Sequence, residues 1–406
     1  MALSINQARM GAVQPSATLE MARKARALKL QGVDVANMSA GEPDFPTPKC
    51  IRDAAVRALE QGTSATHYTP ARGTEDLIAA MREKLKRDQG VEYAVEEVIP
   101  TVGTKGALSL AFDALIGEGD EVIIFSPYWV TYPDLVRLAG GTPVIVETRY
   151  EDGYRPDPAK LKAALTKRTK AVVLNTPGNP TGAGIDGDTL RALMGALEGS
   201  DVWVVSDEIY ERLTYDGFAH VAPASLSDDA RARTLFVGGV AKAYAMTGWR
   251  LGVAAGPKPL IDAMILLQQQ RVTCPTGVAQ AAAAYALREP PEVVAALDEM
   301  RATYARRRRM LLDDLAKIPG ARVHAPEGAF YCFVDVKERL PGRHQDRTIA
   351  DDIQLATHLL EEARVAAVPG TPFGAPGGFR LSFAAADETL KEGVSRIAAW
   401  LDGLSS

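Results

Sequence analysis

The stretch GGVAKAYAMTGWRLG, residues 238–252, places one amine, Lys242, among glycine, valine and alanine, with Arg250 eight positions later. A lysine in such company has two explanations. It can end a buried strand and carry its ammonium outward along an apolar stem. Alternatively, the small neighbours leave room for something bulky against the amine, and Arg250 pairs with an anion on the same molecule. An amine kept from water gives up its proton more readily, which makes it both nucleophile and base. Other reactive groups follow apolar runs in the same manner. Asp207 and Tyr210 follow VWVVS, Asn175 and Asn179 follow AVVL, and Trp129 follows EVIIF. Each alone has a plainer use, since an aspartate caps a helix, NPTG makes a turn and a tryptophan fills a core.

Placement decides between these uses. Between about residues 95 and 260, the runs EVIIFS, AVVLN, VWVVSD, TLFVGG and LGVAAG read as buried strands. Helical patterns such as GDTLRALMGALEG lie between them. That alternation predicts an α/β fold with a mostly parallel central sheet flanked by helices. Open sheets of this kind bind ligands beyond the carboxyl ends of their strands. An indole, an amide, a carboxylate, a phenol and an amine therefore converge on one edge.

The set suits pyridoxal 5'-phosphate. Lys242 would form an imine with its aldehyde, and Asp207 would keep the pyridine nitrogen protonated so that the ring accepts carbanion electrons. Tyr210 and an asparagine can hydrogen-bond the ring oxygen, Trp129 can stack on the ring face, and Arg250 suits the phosphate. TVGTKGALSLAFDAL adds a glycine turn entering a helix, whose first amides at Thr104 and Lys105 could bind that phosphate as well.

The segment SAGEPDFPTPKC separates the first residues from this region, and after about residue 290 long amphipathic helices take over, with strands in GAFYCFVDV and FRLSFA. We expect residues 1–49 to form an N-terminal arm and part of a small domain, 50–295 a large coenzyme-binding domain, and 296–406 a small C-terminal α+β domain. The run ARRRRM at 305–310 lies in a helical stretch and is expected to be a solvated face.

Composition excludes other classes. With 46 basic and 51 acidic side chains the net charge is -5, which argues against a nucleic-acid surface. Three scattered cysteines show neither a disulfide framework nor a zinc spacing, and they fit a reducing compartment. The five histidines form no ligand pair, so no metal is expected. No apolar run is long enough to span a membrane, and the first residues lack a signal-peptide core. A cytoplasmic protein is expected.

GVAKAYAMTGWRLG, NTPGNPTG, SDEIY, SPYW, AGEPDFPTP, THYTPARG and FRLSFA occur in the order found in class I, fold-type I aminotransferases. From about residue 15 to 400 the chain resembles that family, and most nearly its bacterial aspartate aminotransferase branch. The resemblance implies Lys242 as the Schiff-base lysine, Asp207 as partner of the ring nitrogen, and Tyr210 and Asn179 on the ring oxygen. Trp129 would cover the ring, while Arg250 and the turn Gly103, Thr104 and Lys105 would hold the phosphate. Tyr68 would reach the phosphate of a neighbouring subunit, which implies a homodimer with shared sites. Arg380 would grip the substrate carboxylate, with Asn179, Trp129 and the Gly41 backbone beside it. A cis bond is implied at Asn179–Pro180. Many members carry serine where this chain has Gly239.

The implied reaction moves an amino group between an L-amino acid and a 2-oxo acid, by a ping-pong route. Aspartate with 2-oxoglutarate is the first expectation. An aromatic or broad-range enzyme, including one for prephenate, or a lyase of the same fold, is the alternative. An acidic side chain needs a second cation, for which Lys105, Arg72 and Arg271 are candidates. Asp113 stands where some acid-specific relatives place a lysine.

Overall fold

Strands that are apolar along their whole length are stable only with cover on both faces. The computed structural model describes residues 6–405 and shows that cover; residues 1–5, the start of the expected arm, and residue 406 lie outside the described residues. A seven-stranded sheet is built from β1 (Val98–Thr101), β2 (Glu121–Ser126), β3 (Thr142–Glu147), β4 (Thr169–Asn175), β5 (Trp203–Asp207), β6 (Thr234–Gly239) and β7 (Gly252–Ala255). Their order is β1-β7-β6-β5-β4-β2-β3. All run parallel except β7, which is antiparallel to both its neighbours.

Successive side chains of a strand leave on opposite faces. Ile124, Val173, Val205 and Leu235 accordingly enter a core under one layer of helices. Ile123, Phe125, Val172 and Val204 enter a second core on the other face, against Leu190 and Leu193.

The rest of the chain forms a second body. An antiparallel sheet includes Tyr331–Asp335 paired with Gly378–Ser382, and Ala36–Asn37 from near the start pairs in parallel with Val365–Ala366. The long helix Pro291–Leu315 runs through the boundary expected at 295/296. Val293 and Leu297 pack with the first body, while Met300, Tyr304 and Leu311 pack with the second.

The arginine run in that helix is the solvated face expected only in part, with Arg306 and Arg309 exposed. Arg307 and Arg308 are buried, because the helical period turns positions 304, 307, 308 and 311 inward together. Each guanidinium is paired there. Arg307 meets Asp44 at 2.8 Å and Asp387 at 3.0 Å, and Arg308 meets Asp216 at 2.6 Å and donates to Pro326 O at 2.6 Å. The Arg307–Asp44 pair fastens the N-terminal segment to this helix, and the Arg308–Asp216 pair fastens the helix to the first body.

Candidate active site

Parallel register sets the first elements of the site. Asn175 and Asp207 are partners at the ends of β4 and β5, and Asn175 Nδ2 donates to Asp207 O at 2.9 Å. Asn175 Oδ1 then accepts from the Asn179 amide at 3.0 Å, which holds the NTPGNPTG turn over the strand ends. The Asn179–Pro180 peptide is cis. Lys242 lies just beyond the end of β6.

Asp207 is 2% exposed. Burial pushes its carboxyl up to about 6, although Tyr132 and the Ile209 amide stabilise the ionised form. The Tyr132 hydroxyl donates to Asp207 Oδ2 at 2.7 Å. The hydroxyls of Tyr210 and Tyr331 lie 3.0 Å apart, and burial raises the Tyr210 phenol well above its ordinary range. Lys242 Nζ donates to Gly41 O at 2.5 Å. Burial, then the charge of Arg380, lowers the amine to about 8, against the opposing pull of Glu42 and Asp207. The lowering brings a usable fraction of neutral amine toward physiological pH, which a base or nucleophile needs.

Arg380 is 1% exposed, yet no carboxylate pairs with it among the described residues. Its terminal nitrogens donate to Asn179 Oδ1 at 3.1 Å and Ser39 O at 2.6 Å, and its Nε is buried without a partner. The guanidinium lies 4.4 Å from the Tyr331 ring centroid. A buried guanidinium held only by neutral groups favours binding of an anion.

A second anion cradle faces it. Gly103 opens the helix Gly103–Leu115 at φ 70°, and a Cβ there would come 2.5 Å from the Arg250 guanidinium. Val102 offers no capping side chain, which leaves the first amides of that helix free for a ligand. The missing serine has a local cause. Gly239 has φ 152°, and a Cβ on it would lie 3.0 Å from Gly252 Cα in the paired strand, so only glycine suits the position.

One cavity of about 470 Å³ gathers Gly41, Thr104, Lys105, Trp129, Asn179, Asp207, Tyr210, Lys242, Arg250 and Arg380 along its wall. Gly103 backs it through Arg250. Lys105 Nζ stands 5.0 Å from the Trp129 ring centroid. Tyr68 is not in this cavity; it is 88% exposed on the surface. Two of the proposed distal cations are engaged elsewhere. Arg72 pairs with Asp262 at 3.0 Å, and Arg271 pairs with Asp113, whose carboxylate is thereby spoken for.

Sequence reasoning missed Tyr132, Tyr331, Ser39 and the wall formed by Thr18 and Leu19. Tyr132 lies in the first turn of the helix Thr131–Leu138, with its ring edge-on to that of Trp129 at 5.5 Å.

The family model for aminotransferase class I and II matches residues 33–397. The chain is 45% identical to an aspartate aminotransferase of Geobacillus stearothermophilus, over 97% of this chain and 98% of the relative. It is also 45% identical to an aspartate/prephenate aminotransferase of Thermus thermophilus, over 96% of this chain and 97% of that one. Among solved structures, an aspartate aminotransferase from Thermus thermophilus with maleate superposes with a TM-score of 0.91 at 44% identity, covering 98% of this chain and 100% of the other. The Rhizobium meliloti aspartate aminotransferase gives 0.94 at 40% identity, with 100% of both chains covered.

Proposed function

From the premise that the chain belongs to the class I and II aminotransferases, we propose that it exchanges an amino group between L-aspartate and 2-oxoglutarate, with pyridoxal 5'-phosphate as coenzyme. The observation that carries this is the fully buried Arg380, without a carboxylate partner among the described residues and sharing one cavity with the lowered amine of Lys242.

The residues present fit that coenzyme. Arg250 and the uncapped helix start at Gly103, Thr104 and Lys105 would hold its phosphate, and Asp207, braced by Tyr132, its ring nitrogen. Tyr210 and Asn179 would hold its ring oxygen, Trp129 would cover its face, and Lys242 would anchor it covalently. When bound, pyridoxal phosphate supplies an aldehyde that condenses with amines and a ring that takes up electrons from the substrate carbon.

The protein's own groups supply the rest. Arg380 binds the α-carboxylate and fixes which bonds of the substrate face Lys242. Lys242 Nζ, near neutrality, takes the Cα proton. The first oxo acid leaves before the second binds, so the kinetics are ping-pong.

Lys105 is the distal cation, because it alone of the three candidates lines the cavity. The relative solved with maleate, a dicarboxylate, supports a second cation in such a site. A second substrate, prephenate, is favoured by the dual name of the Thermus thermophilus relative and by chemistry, since prephenate also carries two carboxylates. The exposure of Tyr68, at 88%, supports a homodimer in which that phenol reaches the partner's phosphate site. The parallel pairing of Ala36–Asn37 with Val365–Ala366 supports a small domain from 1–49 and 296–406 beside a large one from 50–295.

Turnover with aspartate, glutamate, phenylalanine, alanine and prephenate, measured side by side, tests the assignment. Aspartate and glutamate should lead, and a preference for alanine would refute the acidic assignment.

A further inference from the structure

We propose that His220 is a positioning residue: through its contact with Glu208 it balances the charge directly behind Asp207 and so governs how Asp207 holds its proton. This rests on the reading that Asp207 meets the coenzyme ring.

Alternation along the chain sends Asp207 toward the cavity and Glu208 the opposite way, against the helix Glu75–Gln89. The Glu208 side chain is 1% exposed. Its Oε1 accepts from Ser206 Oγ at 2.8 Å, and its Oε2 accepts from Gln89 Nε2 at 3.0 Å and lies 2.6 Å from His220 Nε2. Serine and glutamine are neutral. His220 is therefore the only hydrogen-bonded neighbour of Glu208, among the described residues, that can carry a positive charge. A buried carboxylate without such a partner is strongly disfavoured.

Among the described residues the imidazole has no other polar contact, since its Nδ1 is buried without a partner. Lys84, whose charge also acts on His220, serves Glu211 and, at 3.5 Å, Asp88. The carboxylates of Glu208 and Glu211 and the ring of His220 offer ligand atoms within 4.8 Å of one another, but the Lys84 ammonium already supplies positive charge there. The cluster is an ion-pair network.

The charged neighbours agree in sign. Burial disfavours a charged His220 ring, but the hydrogen bond and charge of Glu208, aided by Glu211, outweigh burial and Lys84 and leave the ring raised. On Asp207, burial acts first and upward, Tyr132 and the Ile209 amide act downward, Glu208 adds to the rise and Lys242 opposes it. Tyr93 also feels Glu208, and its phenol stays neutral. A charged His220 thus cancels part of the field that Glu208 casts on Asp207. His220→Gln keeps a hydrogen-bond donor and removes the charge. Glu208→Gln removes the field at its source. The two substitutions should act in opposite directions.

The test is the affinity of the coenzyme-free chain for pyridoxal phosphate, followed by visible absorbance across acid and neutral pH. The wild-type profile should bend near pH 6, where Asp207 ionises, and Asp207→Asn should abolish the bend. His220→Gln should move the bend up by about one pH unit, Glu208→Gln should move it down, and the double variant should restore it. If either single variant fails to fold, the other still carries the prediction. A bend that stays in place, or moves the same way in both, overturns the proposal while leaving the coenzyme assignment intact. A wild-type chain that does not bind pyridoxal phosphate overturns the coenzyme assignment and this proposal together.

Discussion

The Arg380 guanidinium donates to Asn179 Oδ1 at 3.1 Å, and this neutral amide stands where a buried cation would ordinarily find a carboxylate. Leaving that charge unanswered is unfavourable in the resting chain, and a substrate carboxylate removes the penalty on binding. Arg380→Ala should therefore lower kcat/KM for aspartate by roughly a hundredfold or more. Arg380→Lys should recover only part, since an ammonium lacks the planar pair of donors. Steady-state kinetics check this, and an unchanged KM would refute the assigned contact.

Asp207 is held at a cost to stability. Its folded value, about 6, is raised above the ordinary 3.8, so the folded chain binds its proton more tightly than the unfolded chain does. The stabilising share of that proton is complete below pH 3.8 and is lost as pH rises through about 6. Asp207→Asn should thus stabilise the coenzyme-free chain at neutral pH by about 3 kcal/mol and do little near pH 4. The same variant should lose activity by roughly a hundredfold or more. Denaturant midpoints at the two pH values, beside turnover rates, test both halves.

Lys242 must be neutral to act as a base. The amine is free to act as a base only after substrate has displaced it from the coenzyme, so with its value lowered to about 8 it is kcat that should rise with pH through that region and level above it. Since the ordinary value is 10.5, the unfolded chain binds more protons between these limits, and stability should also rise from about pH 8 toward 10.5. A pH–rate profile that falls across this interval would contradict the role.

The proposed role of Lys105, which lines the cavity, is to read the far carboxylate. Lys105→Ala should reduce the preference for aspartate over alanine by about tenfold or more. Arg72→Ala and Arg271→Ala should leave that preference unchanged, because both guanidiniums are paired away from the cavity. Competition between the two substrates gives the ratio directly.

Much of the site was legible because strand ends are marked twice, by an apolar run and by the polar residue that stops it. Asp207, Asn175 and Lys242 all carry that mark. The edge strand β3 did not stand out, since only Val146 of its six residues is fully buried. Tyr132 and Tyr331 sit in apolar surroundings and read as core; their hydroxyls gain meaning only from Asp207 and Tyr210, which are remote in sequence. Arg307 and Arg308 misled for the opposite reason. Four consecutive arginines look like surface, and nothing local announces Asp44 or Asp216 as partners. Thr18 and Leu19 reach the cavity because the N-terminal segment folds back over the strand ends, a consequence of tertiary packing.

The most direct measurement is to load the protein with pyridoxal phosphate, reduce the adduct with borohydride, and map the modified peptide by mass spectrometry. A single stable adduct on Lys242, absent from Lys242→Ala together with the visible absorbance, is the expected result. An adduct on another lysine, or none from a folded protein, would contradict the assignment of the coenzyme to this cavity.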